Sequence, residues 1–289
     1  MRWLSGILIP LLLGQALALT VGASIPPLCS LVAQVGGDRV KVVQLVPNGA
    51  NPHTYEPTPS DVARVAQAEA FFLIGLGFDS YLEKIIKAAR GEKAPVFYVS
   101  SGLELLAEGG EHKEANPHVW LSLRNAQKIL ENIAQSLALL DPEGERLYKE
   151  NAQKYAQVLG ELDARFAKEF SSLPSCSFVA THASLSYLAR DYGLLEVGIL
   201  EKAPGYEPTP RELAELVTLM KEKNTRVIVV EPQFSTKAAQ VLAKEAEAVL
   251  VFFDPLGSFP DTPYHVLMEE NLRKFVEALR NTRNGESGH

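Results

Sequence analysis

Five residues carry the chemistry of this sequence, and each lies beyond an apolar run. His53 stands in "VPNGANPHTYEPTPSDV", His118 in "NPHVWLSL", His182 in "FVATHASLSYL", Glu231 in "VIVVEPQFS" and Asp254 in "VLVFFDPLG". Imidazole and carboxylate are ordinary ligands of divalent zinc, and four of them fill a tetrahedral shell. No local metal motif such as C-x-x-C or H-E-x-x-H is present. The candidates are scattered along the chain, so a fold has to gather them. The tripeptide Asn-Pro-His occurs twice, at 51–53 and 116–118. A proline beside a ligand restricts its loop and lowers the ordering cost of binding. Glu231 has three readings: a ligand, a structural group at a strand end, or a carboxylate that orients a coordinating imidazole. The third is favoured.

The other histidines read more plainly. His112 sits in the polar loop "EGGEHKEA", as a solvated residue or a weak metal-capture group. His265 follows Pro263 near a helix start and reads as a surface residue. His289 ends the chain. Cys29 and Cys176 are far apart, with no spacing that argues for a disulfide, and are expected unpaired.

The elements that must position these side chains alternate in type. Strands are expected at Leu19–Ser24, Val40–Val46, Ala70–Ile74 and Val96–Val99, and again at Ser177–Thr181, Leu194–Ile199, Val227–Glu231 and Ala248–Phe253. Helical patterns lie between them, one opening near Ser60 or Asp61 as its N-cap. Such alternation predicts parallel sheets flanked by helices. A helical region separates the two series. Residues 121–140 form one helix. After Asp141-Pro142 a second carries Leu147, Ala152, Tyr155, Leu159, Leu162, Phe166 and Phe170 at helical spacing. The expected fold is α/β in two lobes, each a roughly four-stranded parallel sheet, joined by a long rigid helix. The boundaries are a leader over 1–18, a first lobe over 19–141, the connecting helix over 142–173, a second lobe over 174–283 and a disordered tail over 284–289. In open parallel sheets ligands bind beyond the carboxyl ends of the strands, where all five residues fall.

The leader is read from "MRWLSGILIPLLLGQALALT": a basic start, a short apolar run and Ala16-Leu17-Ala18 as a small-residue cleavage pattern. It places the mature protein outside the cytoplasm, periplasmic or extracellular. Cys29, preceded by "IPPL", does not read as a lipid-attachment cysteine. The net charge of −7 and the lack of a basic cluster argue against nucleic acid as a partner.

Taken in order, "PNGANPHTYEPTPSD", "NPHVWLS", "ATHASLSYLARDYGL", "VIVVEPQFS" and "FFDPLG" resemble the metal-binding receptors of ABC importers for zinc and manganese, over nearly the whole mature chain. The resemblance implies a metal held between two lobes by His53, His118, His182 and Asp254, with Glu231 beside them. It implies delivery to a membrane permease by a monomer and no enzymatic activity. Manganese-type members look glutamate-bearing where this chain has His182, and three nitrogen donors suit zinc better than manganese. Many zinc receptors also carry a long histidine-rich loop before the second histidine, and here only His112 stands there. The alternatives are a manganese or iron(II) receptor and a secreted zinc buffer or adhesin. A zinc hydrolase is disfavoured, because four protein ligands would close the position that a catalytic water needs.

Overall fold

The structure, a computed structural model, describes residues 18–107, 114–173, 176–203 and 205–284. The expected leader lies outside them but for residue 18, as do His112, His289 and residues 285–289 of the expected tail. The first series comprises β1 (Leu19–Ala23), α1 (Pro26–Gly36), β2 (Val40–Gln44), α2 (Pro59–Val65), β3 (Ala70–Leu73), α3 (Ser80–Arg90) and β4 (Val96–Tyr98). Then come α4 (Leu123–Leu140) and α5 (Glu145–Ser171). The second series comprises β5 (Ser177–Ala180), α6 (Ser186–Tyr192), β6 (Leu195–Ile199), α7 (Pro210–Glu222), β7 (Val227–Val230), α8 (Lys237–Glu245), β8 (Val249–Phe252) and α9 (Tyr264–Asn284).

The two sheets are wholly parallel and share one topology, β2-β1-β3-β4 and β6-β5-β7-β8. Their composition follows position. Of the inner strands, β3 (AFFL), β5 (SFVA) and β7 (VIVV) are buried along their whole length and β1 over its last three residues. The edge strands β2 and β8 expose Lys41, Val249 and Phe252. A strand covered on both faces needs continuous apolar side chains, and an edge does not.

Local signals explain the helix ends. α2 opens at Thr58, not at Ser60 or Asp61. Pro59 takes the first helical position, where its missing N–H costs nothing. Asp61 reaches back to accept the Thr58 N–H at 2.7 Å and its hydroxyl at 2.8 Å. α5 buries Tyr148, Ala152, Tyr155, Leu159, Leu162, Phe166 and Phe170. Leu147, expected on that stripe, is half exposed and Tyr148 replaces it, because one turn before Ala152 falls on 148. Before α5, Pro142–Gly144 makes a single 3-10 turn. There Asp141 takes a bidentate pair from Arg39 at 2.8 and 2.9 Å.

α5 packs against α4, α1 and α9, so the connection is a helical wall shared by both lobes. One apolar core runs from Val21 and Phe71 through Trp120, Tyr148 and Leu159 to Phe178, Tyr264 and Phe275. A smaller core, with Val179, Met220, Ile228 and Leu242, lies on the other face of the second sheet. Cys29 is buried within α1. Cys29 and Cys176 form no disulfide. No described helix is long and apolar enough to cross a membrane.

Candidate metal centre

The two Asn-Pro-His tripeptides fold alike. In the loop between β2 and α2, Asn51 Oδ1 accepts the His53 N–H at 3.0 Å. In the segment before α4, Asn116 Oδ1 accepts the His118 N–H at 2.9 Å. Each asparagine thus closes a turn over the proline, a bond that its short side chain makes readily. The proline has no N–H to compete. The third histidine comes from the second sheet. β5 ends at Ala180, and the Thr181 N–H still bonds Val229 O at 3.0 Å, so His182 leaves the sheet in a fixed direction. β5 and β7 are neighbours, and this sets Glu231 beside His182. Glu231 Oε1 lies 2.9 Å from His182 Nδ1, though poorly aligned for a hydrogen bond, and accepts the Ser184 hydroxyl at 2.7 Å.

The result is a close triad. His118 Nε2 is 3.1 Å from His53 Nε2 and 3.1 Å from His182 Nε2, and ligand atoms of the three rings lie within 4.8 Å of one another. His118 Nδ1 meets Asn116 Oδ1 at 2.9 Å. An amide oxygen only accepts, so in the neutral ring the proton sits on Nδ1 and Nε2 is a bare lone pair. At His182 the nearby Glu231 carboxylate, though not hydrogen-bonded to Nδ1, favours the same tautomer electrostatically. Two lone pairs then face each other across 3.1 Å. A cation relieves that repulsion and turns it into attraction. Nitrogens around tetrahedral zinc sit about 3.3 Å apart, given Zn–N bonds of about 2.0–2.1 Å.

The surroundings favour neutral rings. Burial, aided by the neighbouring His182, lowers the His53 pKa from 6.5 to about 4. Burial pushes His118 well below its ordinary range. Metal ligation needs neutral imidazole, so the site holds two rings in the form a metal takes up. Phe78 packs edge-on against His53 at 5.2 Å between centroids, and Phe234 covers His182 at 4.7 Å. Trp120 closes the floor, its indole N–H bonded to Pro255 O at 2.9 Å. A cavity of about 10 Å³ remains among His53, His118, His182, Glu231 and Gln233, room for one ion. An open cleft of about 620 Å³ reaches His53 and His182 from the other side, past Tyr81, Glu114 and Glu201.

Asp254 lies outside the triad. Its Oδ1 accepts the Gln233 amide at 3.0 Å and the Leu256 N–H at 3.0 Å, and Asn271 bonds its backbone N–H and C=O. Among the described residues Oδ2 makes no hydrogen bond. His265 is half-buried rather than a surface residue, because the Tyr155 hydroxyl meets its Nδ1 at 3.0 Å and accepts its N–H at 3.1 Å. Asn116, Ser184 and Gln233 escaped the sequence reading. For Asn116 a signal existed, since the asparagine recurs with the histidine in both tripeptides.

Comparison with known proteins places the chain among relatives. The family described as "Zinc-uptake complex component A periplasmic" (ZnuA) matches residues 21–278. The zinc-binding lipoprotein AdcA of Streptococcus pneumoniae is 32% identical over 278 residues, covering 90% of this chain and 55% of that protein. The chain therefore spans about half the length of this relative. A crystal structure of ZnuA superposes with a TM-score of 0.83 at 34% identity, covering 91% of this chain and 99% of that one. The substrate-binding protein FpvC of Pseudomonas aeruginosa, solved with Mn2+, has a TM-score of 0.83 at 29% identity, covering 91% and 99%.

Proposed function

We propose a function from one premise: the chain belongs to the family of periplasmic A components of zinc-uptake complexes. On this reading the protein captures Zn2+ outside the cytoplasm, periplasmic or extracellular, after removal of its leader. It passes the ion to the membrane permease of an ABC importer and acts as a monomeric receptor, not an enzyme. The observation that carries the reading is the convergence of three imidazole Nε2 atoms at 3.1 Å spacings around His118.

The ligands in this proposal are His53, His118 and His182 through Nε2, and Asp254 as the only negative donor. Glu231 stays behind His182, its carboxylate 2.9 Å from Nδ1 and placed to balance the charge of the bound ion. Three neutral nitrogens and one carboxylate form a borderline donor set that favours zinc over the harder manganese and iron(II) ions. Burial among Phe78, Trp120 and Phe234 strips water from the ion and strengthens each ligand bond.

Titration of chelator-stripped protein with zinc and manganese in competition tests this. One site per chain is expected, with zinc bound far more tightly and His182→Glu shifting the ratio toward manganese. Two equal sites, or a preference for manganese in the unaltered protein, would overturn the reading.

A further inference from the structure

We infer that Asn116 is a positioning residue that fixes the His118 tautomer for metal and ties that ligand to the opposite lobe. The inference deepens the receptor reading and rests on it. Asn116 is fully buried and its carboxamide is used at both ends. Oδ1 takes two bonds from His118, from the backbone N–H and from Nδ1, each at 2.9 Å. Nδ2 donates to Ala183 O at 2.6 Å, across the lobe boundary and one residue beyond His182. It also meets the Ser186 hydroxyl at 3.4 Å. Rotating the amide by half a turn would set its NH2 against the His118 N–H and its oxygen against Ala183 O, so only one orientation fits. The Asn116 backbone is held as firmly, its C=O bonded by the Tyr187 hydroxyl at 2.8 Å and its N–H bonded to Leu106 O at 2.8 Å.

This one side chain does two things. It obliges the neutral His118 ring to carry its proton on Nδ1, which leaves Nε2 free to bind zinc without first losing a proton. It also sets the spacing between the His118 segment and the His182 turn. Among the described residues the side chain of its counterpart Asn51 bonds the backbone N–H of His53 and not its ring. Groups that orient a coordinating imidazole in this manner contribute roughly 10–100-fold to metal affinity.

The test uses the mature full-length protein. Long-range proton–nitrogen NMR correlations of the histidine rings in the metal-free form read the tautomer, and zinc competition reads affinity. In the unaltered protein His118 should show Nδ1–H. Asn116→Asp keeps an acceptor for Nδ1 but cannot donate to Ala183 O, so it should retain the Nδ1–H tautomer. Asn116→Leu removes both roles, and it should give mixed tautomers and roughly 10–100-fold weaker zinc binding. An Nε2–H ring in the unaltered protein or in Asn116→Asp overturns the inference, even if Asn116→Leu does not fold. So does a folded Asn116→Leu protein with pure Nδ1–H and unchanged affinity. Failure of the unaltered protein to bind zinc would defeat the receptor reading alone, because the tautomer is read without metal.

Discussion

The same tripeptide, Asn-Pro-His, is built into two very different places. Around His118, residues 116–123 are all buried, and the segment is stitched to the second lobe although it precedes α4 in sequence. Asn116 reaches Ala183, Tyr187 reaches Asn116, Trp120 reaches Pro255, Ser122 reaches Asp191 and Tyr264 reaches Trp120. Around His53 the chain from Thr54 to Ser60 is mostly exposed, and Gly49 adopts a left-handed φ of 77° with open space around it. Among the described residues its bonds to the second lobe are two exposed ones at 3.1 Å between Asn48 and Phe259. A motif therefore dictates its local turn and nothing more. The partners supplied by the fold decide that His118 and His182 form a fixed pair, and that His53 comes to them on a looser arm.

The largest expected consequence is in hydrogen exchange of the metal-free protein. Loops open at little cost and core segments only near the global free energy. Amides of 53–56 should exchange at least ~10³-fold faster than those of 118–121 after correction for sequence, with zinc slowing the first group selectively. Equal protection would erase the distinction between the loops.

Ligand removal comes next and should not distinguish them. If about 10–16 kcal/mol of structural zinc binding is shared among four ligands, His53→Ala and His118→Ala should each weaken zinc by roughly 10²–10³-fold. Calorimetric competition measures it. A loss confined to one of the two would mean that only one is a ligand.

Acid should then weaken the metal-free fold. The folded pKa of His53 lies near 4, below the unfolded value of 6.5. Below pH 6.5 the unfolded chain gains a proton that the native chain refuses, so stability present at neutral pH is lost as the pH falls from about 6.5 to 4. For this half-buried ring the loss should be about 2 kcal/mol at pH 4.5, and His118 adds to it in the same direction. Urea unfolding at pH 7 and 4.5 checks the slope, and His53→Gln should reduce it. A flat profile would mean the rings are not held neutral.

Tyr187→Phe should cost about 1–2 kcal/mol, because the buried Asn116 C=O and the Leu106 N–H each lose a partner. A shift in melting temperature detects it, and no shift would deny the stitching of the His118 segment. The smallest effect separates the two prolines. Pro52→Ala frees a loop that must order around metal and should weaken zinc about 2–5-fold, whereas Pro117→Ala, inside a segment already fixed, should change it less. The reverse order would mean that the His118 segment is the mobile one.

The strand runs were readable because parallel strands buried on both faces must be apolar throughout, as in "AFFL" and "VIVV". His182 stood out because it lies two residues beyond β5, whereas His53 and His118 sit in long segments after β2 and β4 and stood out by the repeated Asn-Pro-His. What escaped depends on distant partners. Thr58 caps α2 because Asp61 turns back to it, and Tyr148 rather than Leu147 faces the core because of the pitch of α5. Asp254 was placed at its strand end, but its engagement by Gln233 and Asn271 depends on elements 17 to 21 residues away. The role of Asn116 needed the position of Ala183, which no local pattern records.

The Tyr264 N–H donates to Ser30 Oγ at 2.9 Å, a bond between residues 234 positions apart. α9 is thus the keystone of a core whose first course is β1 and α1. A chain made from its N-terminus carries an unfinished first lobe until α9 emerges. The two lobes then close as one cooperative unit, late and slowly, as expected where the contacts that matter are remote in sequence. Truncation within α9 should weaken the first lobe as well as the second, because Tyr264 is bonded to Ser30 of α1, and unfolding should show a single transition rather than two.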